Sequence, residues 1–578
     1  MHRNVNTHFN QMPTNVNIRR SSFNRDHSHK FSFNLGDLIP FYVDEVLPGD
    51  TFSIDTSKVI RIQPLVAPIM DEIFLDTYYF FVPNRLIWDN FTRFFGEHTE
   101  QDHSDPWSLA GSDLTVPSFY QKQDEEGRGI PFFVNSLYDY MGLPVNVKLS
   151  PEDKFNQLPI RAYYKIYNDW FRPENFLNPL YTWHSADGDL PTKTSIQDSG
   201  FGHYLGIPLK ACKTFDYFTS CLPTPQKGPD VSIAYGGKLP VYFYEEYNPL
   251  TMTGSSASVY EAGHDYPKFV YKNNSGNFAY LGTHVRQLLT SNEGIKVHKT
   301  DEAADSYYDY PFTIANAGVE LQNGFMNVSD LRTAFAVQKY YERAARGGTR
   351  YIESVKSFFG VSSPDARLQR SEYLGGNRIY LDIGQVLQTS ATEDISPQGN
   401  AAGFSLTNNV NSDFTKSFTE HGFILGICVA RYHKTYQQGA ERMWFRRTLF
   451  DYYNPTFANI SEQPVRRKEI YMSENHALNE SVFGYNEAWA DYRYKPNRVS
   501  GEMRSSHPTS LDIWHLGDYY NSPPYLGVDW LEEDRSILDR CLAVTSDVSN
   551  QLIADFYLKV NVARCMPLYS IPGLIDHN

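Results

Sequence analysis

The stretch "KFSFNLGDLIPFYVDEVLPGDTFSIDTSKVIRI" (residues 30–62) decides the fold class of this chain. Apolar and polar residues alternate along it in short runs, and Pro-Gly-Asp at 48–50 interrupts them. A period of two residues is typical of a strand with one buried face, and Pro, Gly and Asp are typical of turns. The stretch therefore predicts strands joined by tight turns.

Strand patterns recur along the rest of the chain. "DEIFLDTYYFFVPNRLIW" (71–88) is a longer one that Pro83 closes, and "GFILGICVARYHKTYQQG" (422–439) and "FYLKVNVARCMPLYS" (556–570) follow later. Aromatic residues make up 15% of the 578 residues, and they favour pleated surfaces. Strand patterns on both sides of two predicted helices favour an antiparallel sandwich with elaborate loops over alternating βαβ units.

The first predicted helix is "PIRAYYKIYNDWF" (159–171). A proline is tolerated in its first turn, and Ile160, Tyr163 and Ile166 have helical spacing. Pro173 limits the helix at its other end.

The second predicted helix is "SDLRTAFAVQKYYERAARGG" (329–348). Gly347 and Gly348 stand where a left-handed residue commonly ends a helix. A phosphate cradle needs its glycines before a helix, where free N–H groups face the anion. The motif "ARGGTRY" (345–351) therefore predicts a helix end and not a nucleotide site.

The net charge of −15 argues against a protein that coats nucleic acid with its whole surface. Residues 1–30 have the opposite sign, about +4, and almost no periodic apolar residues, which predicts an extended or disordered basic arm. Either the arm meets a different environment from the acidic body, or it is a solvated tail. Its cations are Arg3, Arg19, Arg20, Arg25 and Lys30.

No motif points to catalysis, a cofactor or a metal ion. The chain lacks Walker, HExxH and GxSxG motifs, and its five cysteines form no CxxC pair and are expected to be reduced thiols. The apolar runs are too short to span a membrane, and the first residues lack the apolar core of a signal peptide. The carboxylates of "LEEDRSILD" (531–539) are expected on an exposed helix face.

Three basic clusters contain aromatic residues: "RMWFRRTLFDYY" (442–453), "VRRKEIY" (465–471) and "YRYKPNRVSGEMRS" (492–505). Arginine suits phosphates and aromatic faces suit unstacked bases, so the clusters fit single-stranded DNA. They equally fit an interface in which the arginines pair with carboxylates of a neighbouring subunit. The candidate DNA or inter-subunit contacts are Arg19, Arg20, Arg25, Arg346, Arg350, Arg446, Arg447, Arg466, Arg467, Arg493, Lys495 and Arg498.

Six long blocks of the sequence are distinctive when taken together. They are "LPIRAYYKIYNDWFRPENF" (158–176), "DYFTSCLPTPQKGPDV" (216–231), "DLRTAFAVQKYYERAARGGTRYIESVKSFFGVSSPDARLQRSEYLGG" (330–376), "SFTEHGFILGICVARYHKTYQQGAERMWFRRTLFDYYNPTF" (417–457), "FGYNEAWADYRYKPNRVSGEMRS" (483–505) and "ARCMPLYSIPGLIDHN" (563–578). These blocks resemble the major capsid proteins of gokushoviruses, which are single-stranded-DNA bacteriophages of the family Microviridae. The resemblance runs in family order from about residue 31 to the C-terminus, whereas 230–310 matches nothing closely, and the block at 330–376 is the most specific.

The resemblance implies a mainly β fold, namely an eight-stranded viral jelly roll with large inter-strand loop insertions and a few helices. It further implies that sixty copies close a T=1 icosahedral shell around circular single-stranded DNA. The implied domains are an arm (1–30), the first part of the core (31–229), a variable surface insertion near the threefold axes for host attachment (230–310), and the remaining core (311–578). Arg346 and Arg350 would lie in a connector between strands.

The implied partners are further copies of the chain, the DNA genome, a small basic DNA-binding protein, an internal scaffolding protein, a DNA pilot protein and a host cell-surface receptor. If the chain forms this shell, its acidic net charge also favours the basic protein, because so acidic a shell cannot neutralise a packed genome alone. The protein would be a virion component assembled in the bacterial cytoplasm, with no enzymatic activity and no cofactor.

Two other functions compete with the coat protein. A secreted carbohydrate-acting or carbohydrate-binding β protein would use the aromatics and paired carboxylates. A cytosolic nucleic-acid-binding protein would bind as an isolated subunit with a steep dependence on salt.

Overall fold

The computed structural model describes most of the chain outside several loops and both termini. The described residues are 20–95, 97, 114–122, 129–180, 184–185, 187, 189–191, 206–229, 241–243, 269–272, 278–280, 288–291, 294–298, 307–308, 312–314, 317–319, 328–347, 350–366, 368–390, 392 and 398–569. Within them, no helix is both long enough and apolar enough to cross a membrane.

The chain divides into two compact units. The first consists of residues 1–228 and 341–578, and the second of residues 229–340. The domain boundaries at 229/230 and 310/311 that the sequence suggested remain a prediction.

Nine strands of the first unit form two antiparallel sheets, so the protein is mainly β as expected. We number these strands in chain order: β1 (Ser21–Asn24), β2 (His27–Phe33), β3 (Ile39–Val46), β4 (Thr51–Ile62), β5 (Ile73–Pro83), β6 (Glu372–Tyr380), β7 (Thr407–Ser417), β8 (Gly422–Tyr432) and β9 (Leu552–Arg564).

The pairing of these strands is nested. The first sheet has the order β2–β9–β4–β7, with β1 also pairing with β9, and the second sheet has the order β6–β5–β8–β3. From β2 onward, the first strand therefore pairs with the last, the second with the second last, and so on inwards: β2 with β9, β3 with β8, β4 with β7, and β5 with β6.

The first sheet follows the period of two that the sequence shows. Along β9, buried residues such as Leu552, Phe556 and Val560 alternate with more exposed ones such as Tyr557 and Lys559. Because successive side chains of a strand point to opposite faces, one face of this sheet lies on a core and the other is accessible.

The two inner strands of the second sheet, β5 and β8, are buried on both faces, whereas the edge strand β6 is mostly half-buried or exposed. Leu75 and Ile424 belong to the core that also contains Phe556 of the first sheet. Phe80 of β5 and Leu425 of β8 belong instead to a second core, which also contains residues of helix α1 (Leu158–Ile166). A sheet between two apolar layers explains why these strands are continuously apolar in sequence.

Helix α1 confirms the prediction for 159–171. It begins at Leu158 with Pro159 in its first turn, and a π-helical segment, Tyr167–Phe171, continues it. Arg161 is fully buried in it, and its guanidinium donates to the side-chain oxygen of Gln157 at 2.7 and 3.0 Å and to the carbonyl of Ile87 at 3.1 Å.

The loops of the first unit contain short strands and helices. The strands are Ser118–Tyr120, Phe155–Asn156, Asp189–Pro191, Ile383–Leu387, Ala401–Ser405, Thr435–Tyr436, Glu462–Arg466, Val482–Glu487 and Asn497–Arg498. The α-helical segments besides α1 are Phe91–Phe94, Leu137–Tyr140, Tyr351–Phe359, Arg467–Ile470, His476–Glu480, Val528–Leu531 and Ser536–Asp539. The 3-10 turns are Asn84–Leu86, Arg442–Phe445, Leu449–Asp451, Pro455–Phe457, Ala490–Tyr492, Gly501–Met503 and Asp512–Trp514.

The second unit contains short strands, the kind of structure that the sequence predicts for 230–310. These strands are Val241–Phe243, Phe269–Lys272, Phe278–Tyr280, Leu288–Ser291, Gly294–His298, Tyr307–Tyr308, Phe312–Ile314 and Ala317–Val319, and they form small antiparallel sheets. Helix Val328–Arg346 begins in this unit and ends in the first.

The basic arm is shorter than residues 1–30. Strands β1 and β2 both pair with β9, and β2 runs across residue 30, so the second half of the expected arm belongs to the first sheet. The sequence conceals this because Phe23 is the one large apolar residue between residues 20 and 30, so no period is visible there. Residues 1–19 lie outside the described part of the chain.

The half-buried carboxyl group of Asp37 gives the fold a testable dependence on pH. Burial raises the pKa of Asp37 to about 7, although Lys210 and Arg535 oppose the shift. The folded state therefore binds more protons than the unfolded state between the ordinary aspartate pKa and 7, so this group lowers stability as the pH rises through that range. We expect D37N to match the wild type near pH 4 and to melt about 2 °C higher at pH 8.

Thermal unfolding of both chains at the two pH values measures this difference. D547N, which alters an exposed aspartate, is the control and should not change with pH relative to the wild type. If D37N differed from the wild type in melting temperature by the same amount at pH 4 and at pH 8, the raised pKa of Asp37 would be contradicted.

Candidate assembly and nucleic-acid interface

The "ARGGTRY" motif connects two helices. Helix α2 (Val328–Arg346) precedes it, as predicted, and helix α3 (Tyr351–Phe359) follows it. Arg346 and Arg350 lie in the segment between the strand Ala317–Val319 and β6, so they are in a connector between strands, as expected, and this connector is helical. The sequence does not predict α3, because two adjacent glycines mark the end of a helix and give no sign that another begins at Tyr351.

Gly347 is required for a different reason from the one that its position suggested. It does not adopt the left-handed conformation, and Gly348 lies outside the described residues. A Cβ atom on Gly347 would lie 2.6 Å from Cβ of Ser357 and also contact the Oγ atom of that residue. The glycine thus allows the backbone at the end of α2 to approach α3 closely.

The start of α3 is already occupied by a carboxylate. The backbone N–H of Arg350 donates to Oε2 of Glu353 at 3.2 Å, which is one half of a capping box. A negative side chain at this end of the helix competes with any phosphate. The prediction that this motif holds no nucleotide site remains a prediction, but its reason is different. A helix does follow the glycines, and the carboxylate of Glu353 already occupies its first turn.

The two arginines of the motif form bonds within the chain. Arg346 forms an ion pair with Glu462, and Nη1 of Arg350 lies 3.3 Å from Glu353 and 3.6 Å from Glu174. Nη2 of Arg350 also donates to the carbonyl of Arg172 at 3.1 Å. These contacts tie α3 to the end of the π-helical segment after α1.

The cluster 442–453 is built from 3-10 turns, and its two candidate arginines differ. Arg446 pairs with Asp491, donates to the carbonyl of Asp451 at 3.0 Å, and lies 4.2 Å above the ring of Tyr492. Arg447 is exposed, and within the described residues its guanidinium pairs with no carboxylate.

The cluster 465–471 is largely turned inwards. Arg466 donates to the carbonyl of Glu480 at 2.6 Å. Arg467 is buried, and its guanidinium stacks 4.0 Å from the centre of the Tyr525 ring. Lys468 pairs with Glu480.

The cluster 492–505 carries exposed cations that are also paired. Arg493 lies 2.5 Å from Glu487, Lys495 lies 2.8 Å from Glu441, and Arg498 lies 3.6 Å from the same Glu441.

At the N-terminal side, Arg19 lies outside the described residues, Arg20 is exposed, and Arg25 lies 2.5 Å from Asp44.

Most of the candidate cations are thus compensated by carboxylates of their own chain, so their sequence clustering does not create a strongly positive surface. Their roles in DNA or inter-subunit contact remain predictions.

Sequence reasoning missed a buried ionic network in the same region. Lys434 lies 2.6 Å from Glu533, and both side chains are completely buried. Asp518 accepts a hydrogen bond from Tyr432 at 2.9 Å and lies 3.6 Å from Lys213. Burial favours a higher pKa for Asp518, but the two lysines prevail and hold it below its ordinary value.

The expectation of an exposed helix face at 531–539 is consequently wrong. The helix Val528–Leu531 ends before Glu533, and a separate short helix, Ser536–Asp539, follows it. Glu533 lies between the two helices and is buried. No local sequence signal marks these residues, because their partners are distant in the chain.

Among the described residues, no group of three or more His, Cys, Asp or Glu side chains is arranged to hold a metal ion. All five cysteines are free thiols.

The sequence matches a known protein family over almost its whole length. Residues 10–574 match the family model described as capsid protein (F protein). The chain belongs to this family.

Individual relatives agree along the whole length. Capsid protein VP1 of Chlamydia phage 1 is 38% identical over 98% of this chain and 97% of its own length. Capsid protein VP1 of Spiroplasma virus 4 is 39% identical over 99% and 98%, and that of Bdellovibrio phage phiMH2K is 37% identical over 98% and 97%.

The gokushovirus resemblance is therefore confirmed, and the protein is a structural capsid protein rather than an enzyme. A carbohydrate-acting β protein finds no support. As a capsid protein, the chain is a virion component that self-assembles.

The close approach at Gly347 leads to a prediction about the ARGGTRY connector. We expect G347A to lower the free energy of unfolding by about 1–3 kcal/mol, because the added methyl group overlaps Ser357. Urea denaturation of the full-length chain measures the loss. S357G should make G347A less costly, since it removes the two side-chain atoms that the methyl group meets and leaves the carbonyl oxygen of Arg343 at 3.0 Å.

The matched control is G360A at the end of α3. Gly360 has a φ of 71° and nothing within 4 Å of an added Cβ, so its cost of about 1 kcal/mol comes from the backbone alone. S357G should not relieve G360A. If S357G reduced the loss of stability in G360A as much as in G347A, the packing role of Gly347 would be refuted.

Proposed function

We propose that this protein is the major capsid protein of a small phage and closes a T=1 icosahedral shell of sixty copies around a circular single-stranded DNA genome. The observation that carries the proposal is the nested pairing of β2 to β9 in a chain that matches capsid proteins along its full length.

We further propose that the eight strands β2 to β9 form a jelly roll. A long antiparallel hairpin pairs its first strand with its last and so on inwards, and wrapping that hairpin yields two four-stranded sheets. The orders β2–β9–β4–β7 and β6–β5–β8–β3 are those that the wrapping produces, and the shared core between the sheets supports it. The large insertions then follow β5 and β8.

The charge of the chain supports a separate basic partner for the genome. The net charge is −15, and most candidate cations already face carboxylates of the same chain. Packed DNA needs cations for nearly every phosphate. A small basic DNA-binding protein supplies them in this proposal, with exposed Arg20 and Arg447 and the arm before β1 adding little.

The second unit supports a role for residues 230–310 in host attachment. Residues 229–340 form a compact unit of short strands, which suits a surface protrusion near the threefold axes that contacts a cell-surface receptor. The remaining proposed partners are an internal scaffolding protein and a DNA pilot protein, with assembly in the bacterial cytoplasm. These partners follow from the family and not from a contact in this chain.

Particle formation tests the proposal. The full-length chain, produced together with the other structural proteins of its phage, should sediment as closed particles whose coat weighs about 4 MDa, sixty times the 66.4 kDa chain. Electron microscopy of the same fractions should show uniform icosahedral shells.

The matched variant lacks residues 230–310. It should still form particles, because the described strands of that segment lie outside the two main sheets, but those particles should adsorb to cells poorly. A wild-type chain that stays monomeric under all assembly conditions refutes the shell, whereas normal adsorption of the deletion variant refutes only the attachment role.

A further inference from the structure

We propose that an exposed group of apolar residues between 443 and 453 is a contact surface for a second copy of this chain. The inference rests on the proposed shell and names one surface that builds it. This aromatic patch consists of Met443, Trp444, Leu449, Phe450, Tyr452 and Tyr453.

The patch is large and apolar for an accessible surface. Leu449 is 81% exposed, and Trp444 and Phe450 are each 71% exposed. Given that aromatic side chains offer about 150–250 Å² each, the six residues present on the order of 700 Å². That exceeds the usual apolar patch of a monomer and approaches the roughly 800 Å² that each partner buries in a standard interface.

The patch is held in a fixed shape. Asp451 accepts hydrogen bonds from the backbone N–H groups of Arg447 and Thr448 at 2.9 and 2.7 Å, which closes the turn that presents Leu449 and Phe450. The ring of Tyr453 meets Trp489 edge-on with centroids 5.7 Å apart. Ordered apolar groups lose little conformational entropy on binding, which favours association.

A second contact supports Phe450. The ring of Phe450 meets Phe457 edge-on with centroids 6.0 Å apart, and the indole N–H of Trp489 donates to the carbonyl of Phe457 at 3.0 Å. The segment after the patch is therefore tied to the same tryptophan that supports Tyr453. Tyr453 contacts Trp489 directly, and Phe450 is linked to it through Phe457.

The charges around the patch favour a protein partner over nucleic acid. Arg446 is engaged by Asp491 and a backbone carbonyl, and the nearby Lys495 is paired with Glu441. Arg447 is the cation of the patch that lacks a carboxylate among the described residues. Aromatic rings suit stacked bases, but single-stranded DNA binding also needs uncompensated cations along its backbone.

A second copy is the occupant that matches these features. Interface cores are enriched in Trp, Tyr, Phe and Met, and five of the six residues of this patch are of these types. Every copy carries the patch. In a closed symmetric shell, each copy supplies that occupant to its neighbour.

Paired substitutions test the contact in the full-length chain. L449S/F450S should lower the yield of closed particles by about tenfold or more, because the central apolar anchors are lost. The unassembled variant should melt within about 2 °C of the wild type, since both side chains are largely exposed and only the edge contact of Phe450 with Phe457 is lost. L449M/F450Y keeps the apolar area and is the matched control with near-normal yield.

Hydroxyl-radical labelling of the wild type tests the same surface without any substitution. Trp444 and Phe450 should be labelled about fivefold less in particles than in dissociated subunits, in empty and DNA-filled particles alike. Protection in filled particles alone would mean that DNA covers the patch, and equal labelling in particles and subunits would mean that nothing does. Either result overturns the inference while leaving the shell intact.

If the wild-type chain forms no closed particles at all, the proposed function itself fails, and this inference fails with it.

Discussion

The pairing of β9 with strands from the beginning of the chain is the constraint on which the rest depends. Leu552 lies opposite both Phe33 of β2 and Ile62 of β4, so one strand near the C-terminus completes the first sheet between two strands near the N-terminus. Once this pair and the three pairs nested inside it are formed, the ends of every long loop are fixed. Since the entropy of closing a loop grows slowly with its length, such a framework accepts very large insertions.

The long connection between β8 and β9 nevertheless packs around a hydrophobic core of its own. Tyr436, Val465, Phe483 and Trp530 share a small core with Phe218 from the first half of the chain. The completely buried pair of Lys434 and Glu533 lies in the same loops. Removing one partner of such a pair is expected to cost about 3–5 kcal/mol, so the network specifies one arrangement of these segments. The aromatic patch is presented from the same loop body, which explains how loop residues hold a defined apolar surface.

The sequence predicted the features that depend on local periodicity, and it failed where distant residues decide the outcome. The period of two in β4 and the apolar runs of β5 and β8 identified strands, and Pro159 with its following pattern identified α1. The pairing of Arg346 with Glu462 was invisible because the two residues are far apart in the chain. Glu533 was misplaced for the same reason, because its burial depends on Lys434, on a different segment. Clusters of arginine therefore indicated where charge is concentrated but not what neutralises it.

The internal neutralisation of these arginines has a consequence for the proposed shell. Cations already paired with carboxylates of their own chain contribute little to attraction between copies, and their residual fields are screened by salt. Contact between copies must then come mainly from burial of apolar surface, and the aromatic patch offers such a surface in an ordered form. Apolar attraction is insensitive to the sign of neighbouring charges. In the proposed shell, the paired cations therefore contribute little to joining the copies, and the proposed DNA genome is the larger source of demand for positive charge.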